Sequence, residues 1–142
     1  MIFKKTLIFL LSMLVVLPLF PAKNDPPICP DPNVTESFSK ITAYSCAPVP
    51  KEVSNETQAR AISREASVSL GQEAILKKIL SKKTHSGKTL AEAEVPSLDL
   101  QKKVRDTIKG SIVKKTQWKD GLCWTLIELP KSRVKTLLKK NK

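Results

Sequence analysis

Histidine occurs once in this chain of 142 residues, at His85, with no ligand partners nearby. No Ser–His–Asp or Cys–His arrangement and no metal-ligand spacing can be built around it. Acidic residues are few, 13 against 25 Lys and Arg, and are scattered rather than paired. That removes the paired carboxylates of general acid–base chemistry. The chain therefore reads as a non-enzyme that needs no cofactor. Aromatic residues make up 5% of it, and no basic strand is studded with them in the way that stacks bases, so nucleic acid is not an expected partner. Cysteine is scarce and odd in number: Cys29, Cys46 and Cys123. At least one thiol is then free, buried or paired between chains. Lipid attachment at Cys29 is excluded, because Ile28 precedes it where a small residue is required and AKNDPP separates it from the apolar run upstream.

That run is the first feature present. Lys4 and Lys5 are followed by TLIFLLSMLVVLPLF, the plan of a secretory signal peptide over residues 1–22. Its apolar core of about 15 residues is short for a span, which needs roughly 20. Cleavage after Ala22 is the expectation, with an uncleaved anchor as the alternative because Phe20 is large for a cleavage site. About 120 residues then remain, enough for one modest core. Charge is unevenly placed. Residues 1–76 are balanced, and the whole excess of +12 lies in residues 77–142. Such a half suits a membrane surface or an anionic envelope polymer, as well as plain solvation. Lys77, Lys78, Lys82, Lys83, Lys135, Lys139 and Lys140 are its candidate contacts.

Residues 23–37, with four prolines, read as an irregular arm. A Cys29–Cys46 disulfide would close a loop of about 17 residues, a constraint of roughly 3 kcal/mol. SFSKITAYSC alternates as a strand, with Phe38, Lys40 and Thr42 against Ser39, Ile41 and Ala43, and Pro48 and Pro50 end it. Ser54 or Asn55 caps a long helix, ETQARAISREASVSLGQEAILKKIL. Residues 81–94 read as a polar loop with His85 exposed. Pro96 starts a short helix that Gly110 ends. Asp120-Gly121 between two β-rich runs marks a hairpin whose register stays open. Its apolar mass is Trp118, Trp124, Leu126 and Ile127. Pro130 opens a final basic helix with Val134, Leu137 and Leu138 on its apolar side.

The long helix carries two stripes. Ala59, Ile62, Ala66, Leu70 and Ala74 form one, expected on a sheet. Ala61, Val68, Ile75 and Ile79 form another, nearly opposite, which needs a second layer. That layer is either the C-terminal helix of the same chain or another subunit, so these four residues are the candidate assembly surface. Strand, long helix, short helix, hairpin and terminal helix together predict an α+β fold, a small β-α-β-β antiparallel sheet with the long helix packed on it. Residues 38–142 form the single domain. One helix covers one sheet face and leaves the other bare.

ITAYSCAPVP, QARAISREASVSLGQEAIL and VRDTIKGSIVKKTQWKDGLCWTLIEL, in that order, resemble the Lpp-twenty family of small bacterial envelope proteins. Ala43, Ser45, Ala47 and Pro48 fit its first motif without the glycines. Gln58, Ala59, Arg60, Arg64 and Ala66 fit its helix, and Gly110, Asp120, Gly121 and Trp124 its hairpin. Ser63 and Glu65 stand where alanine is usual. The resemblance covers residues 39–130. It implies a βαββ-type, non-catalytic domain in the periplasm or at the outer membrane, among relatives some of which belong to flagellum-associated structures. It also implies partnership with other copies or other envelope proteins.

Overall fold

The computed structural model describes residues 27–139. The apolar start, with its signal-peptide reading, and Lys140 lie outside the described residues. The elements are β1 (Asn33–Glu36), β2 (Lys40–Pro48), α1 (Glu56–Leu80), α2 (Leu90–Glu94), α3 (Leu98–Lys109), β3 (Ile112–Lys119), β4 (Leu122–Pro130) and α4 (Lys131–Lys139). The fold is α+β, a four-stranded antiparallel sheet in the order β1-β2-β4-β3 with α1 laid on one face.

Two segments are more ordered than their composition suggests. The prolines of 23–37 stop short of Asn33, and NVTE pairs with Ile41–Tyr44 as edge strand β1. The domain therefore begins before residue 38. Within 81–94, expected to be a loop, Thr89 and Glu92 form a reciprocal capping box that starts α2. Leu90 is its fully buried anchor.

At the hairpin, Lys119 pairs with Leu122, leaving Asp120 and Gly121 as a two-residue loop. Both have positive φ, 54° and 73°, the conformation of a type I′ turn. A register shift between Val113 and Lys115 places a bulge at Lys114. The turn and the bulge settle the register that the sequence leaves open.

The long helix sits on the sheet through a stripe different from the expected one. Its buried residues are Ala59, Ser63, Ser67, Gly71, Ile75 and Ile79, every fourth position. Such a row winds slowly around the helix and follows the twist of the sheet, where a straight stripe would leave it. Ile62, Ala66 and Leu70, expected on the sheet, are exposed instead.

Along this row the packing changes character. Ser67 Oγ meets Thr125 Oγ1 at 2.7 Å and donates to Ser45 O at 3.0 Å; Ser45 Oγ donates back to Ser67 O at 2.7 Å. Ser63 Oγ donates to Arg60 O at 2.9 Å. Gly71 leaves no room for a methyl group, since a Cβ there would stand 2.9 Å from Ser45 Oγ and 3.0 Å from Ile127 Cδ1. Toward its C-terminus, Ile75 and Ile79 enter a core with Ile41, Ile127, Leu129, Leu90, Leu100, Val104, Ile108, Val134 and Leu137. No buried side-chain N or O among the described residues lacks a hydrogen-bond partner.

Candidate functional site

Strand alternation sends Ile41, Ala43, Ser45 and Ala47 of β2 toward α1, and Lys40, Thr42, Tyr44 and Cys46 to the opposite side. Pairing carries the same division onto β4, where Cys123, Thr125, Ile127 and Leu129 face the helix and Trp124, Leu126 and Glu128 face away. On β3, Ile112, Lys115 and Gln117 pair with these outward positions.

Among the described residues, none covers the middle of this outer face. Cys29, bonded to Cys46, brings the arm across one end, and Pro27 lies beside Gly121. Beyond that, Tyr44 and Trp124 stack at a centroid distance of 5.1 Å and 19° between planes. Tyr44 is 40% exposed and Ile112 48%, while Trp124 and Leu126 are half-buried. Each ring uses one π-face on the other, which suits a protein surface better than a flat platform for a sugar or a base. At the far end Glu128 holds Lys40 at 2.6 Å and Lys114 at 3.8 Å.

Both sheet edges are blunted. β1 has four residues, and β3 carries Lys114, Lys115 and Lys119 with its bulge. These devices oppose strand addition, so contact through the sheet falls to its face.

The residues singled out from the sequence divide as follows. Cys29 and Cys46 are joined. Cys123 is free and buried under α1; burial pushes its thiol pKa up, against an opposing hydrogen bond from Ser63. The proposed stripe Ala61, Val68, Ile75, Ile79 is not one surface. Ile75 and Ile79 have no exposure, because the i+4 row turns them onto the sheet. Ala61 is exposed and Val68 half-buried, beside Val113 of β3. A second layer exists within the chain: α2 and α3 contact α1 near its C-terminal half, and α4 packs on α3, β2 and β4 beside the same core.

The basic candidates are also divided. Lys82 sits 2.6 Å from Glu36 and Lys78 3.9 Å, and Lys131 joins them at 2.8 Å. Hydrogen bonds from Lys131 and Lys82 hold the Glu36 carboxyl at a pKa of about 2, well below the usual carboxylate range. Lys78 and Lys82 are therefore engaged in tying β1, α1 and α4 together. Lys77 pairs with Glu73 at 3.1 Å. Lys83, Lys135 and Lys139 are exposed. His85 is exposed, and among the described residues no group of three His, Cys, Asp or Glu side chains could hold a metal. A cleft of about 560 Å³ between α3 and α4 has Leu100 and Leu137 at its floor and Asp106, Lys103 and Arg133 at its walls.

Tyr44, Leu126 and Ile112 were missed as site residues. Their signal was phase: Tyr44 alternates with Ile41, Ala43 and Ser45, so it belongs to the face that a single helix leaves bare. Comparison with known proteins gave no match: no family model, curated protein or solved structure is significantly similar to the chain.

Proposed function

We propose that this chain is a non-enzymatic, exported component of the bacterial cell envelope, in the periplasm or at the outer membrane, that works by assembly with other copies or with envelope proteins. The observation that carries the assembly reading is the bare sheet face, with Tyr44, Trp124, Leu126 and Ile112 presented between blunted edges. The Cys29–Cys46 disulfide supports an oxidising compartment. The motif order that resembles the Lpp-twenty family supports the envelope and leaves flagellum-associated structures as a setting.

Pull-down from whole envelopes at two salt concentrations, with light scattering, tests the assembly reading. The chain should self-associate or retain an envelope protein at both salts. Tyr44→Lys and Ile112→Lys should remain folded by circular dichroism and lose that association. A monomer that retains no protein overturns assembly. Fractionation with an intact-mass measurement tests export, and a full-length cytoplasmic product overturns it.

A further inference from the structure

Three of the most exposed large apolar side chains lie on segments that adjoin α4. Phe38 is 92% exposed in the β1–β2 turn, Leu98 81% at the start of α3, and Val95 76% just before it. On one flank of α4, Lys135 Nζ lies 5.9 Å from the Phe38 ring centroid. On the other flank, Thr136 and Leu137 share the cleft with Ser97 and Asp99, the neighbours of Leu98. Lys131 N donates to Ser39 O, fixing the β1–β2 turn against the start of α4. The helix between these apolar tips carries Lys131, Arg133, Lys135 and Lys139 and no acidic residue. The nearby loop 81–89 adds Lys82, Lys83 and Lys88, again without an acid.

Core packing does not require these tips, since Val134 and Leu137 already bury the inner side of α4. A soluble surface would gain nothing from a phenylalanine held in water beside Lys135, nor from a valine and a leucine exposed at the α2–α3 corner, where the acids are Glu92, Glu94 and Asp99 and Asp99 is paired with Lys103. Exposed apolar tips on an end whose α4 and 81–89 loop carry only basic charges match an interface that is negative at its surface and hydrocarbon just below. A soluble polyanion would use the lysines and leave the tips unused.

We propose that this end of the domain, formed by the β1–β2 turn, the α2–α3 corner and α4, rests on an anionic lipid surface. Phe38, Val95 and Leu98 enter the headgroup boundary, and Lys135, Lys139 and Lys83 meet lipid phosphates. The inference is independent of the sheet-face reading, because it uses other residues.

Hydrogen exchange of the full chain on vesicles tests it, using phosphatidylglycerol mixed with phosphatidylcholine and phosphatidylcholine alone. Amides of residues 37–39, 95–100 and 131–139 should slow on the anionic vesicles and not on the neutral ones. Phe38→Ser with Leu98→Ser should abolish that local protection and weaken partitioning at least roughly tenfold, as expected for lost apolar insertion. Lys135→Ser with Lys139→Ser should weaken it by about thirtyfold. Phe38→Leu, which keeps an apolar tip, should retain binding, and Tyr44→Lys should leave it unchanged. Circular dichroism verifies that each variant is folded. Vesicle binding without protection at these segments would mean that the apolar start of the chain holds the protein, and overturns the proposal. So would local protection that survives the double serine variant, or equal protection by soluble polyphosphate that ignores it. Loss of lipid binding in Tyr44→Lys would move the contact to the sheet and overturn it too.

Discussion

The two halves of α1 meet the same sheet by different physics. Between Ala59 and Gly71 the helix approaches through alanine, serine and glycine, and hydroxyls of Ser45, Ser67 and Thr125 bond one another across the contact. Between Gly71 and Leu80 it stands on Ile75 and Ile79 over a thick apolar layer shared with α2, α3 and α4. One half is held by proximity and hydrogen bonds, each contributing about 1 kcal/mol. The other is held by buried side chains contributing roughly 1.5–3 kcal/mol apiece. The thin half also carries the disulfide at Cys46, next to Ser45, and the Val49 N–Gly121 O bond at 2.9 Å. Covalent closure appears where apolar burial is least.

The contrast can be broken most severely at the thick half. Ile79→Ala should cost about 3–4 kcal/mol, read by urea unfolding, because Ile79 is wholly buried and leaves a cavity. Ile75→Lys should prevent folding, where a subunit-contact role would have left a folded monomer. Next in size is the staple. Reducing Cys29–Cys46 should lower stability by about 3 kcal/mol. Hydrogen exchange should then rise first in β2 and the start of α1, and alkylation of Cys123 should still require unfolding.

A smaller change sharpens the comparison. Alanine at a mid-helix glycine normally stabilises by about 1 kcal/mol. Gly71→Ala should instead destabilise by about 1–2 kcal/mol, since the added methyl meets Ser45 and Ile127. A stabilised variant in thermal melts would mean the thin half is not closely packed.

Glu36 supplies an effect of similar size that depends on pH. Its folded pKa is depressed from 4.5 to about 2, so its contribution is complete above pH 4.5 and is lost as pH falls toward 2. Water reaches the cluster, so that contribution is about 1–2 kcal/mol after screening. Glu36→Gln should lower stability by that amount at neutral pH and flatten the acid limb of the stability profile.

Much of this architecture is legible in residue patterns. Alternation finds β2, Asp120-Gly121 finds the hairpin, and Asn55 does cap α1, accepting from Gln58 N at 3.2 Å. β1 was hidden because four residues are too few for a period to register beside four prolines. α2 was hidden because its one anchor, Leu90, sits in polar company. The face of α1 was misread because serine counts as polar until its hydroxyl finds a partner, and Ser63 and Ser67 find theirs inside. The bare sheet face was anticipated as an architectural consequence of a single long helix. Its composition needed the pairing of Tyr44 with Leu126, which joins strands some eighty residues apart.

That same pairing sets a clock. The two central strands, β2 and β4, are neighbours in the sheet, with α1, α2, α3 and β3 between them in the chain. The β3–β4 hairpin closes a two-residue loop and can form early, whereas β2 must cross a long entropic gap to reach it. On the ribosome, everything before Leu122 lacks the strand that completes the sheet. The domain therefore reaches its native pairing only after β4 has been made, and an earlier truncation leaves β2 without its central neighbour.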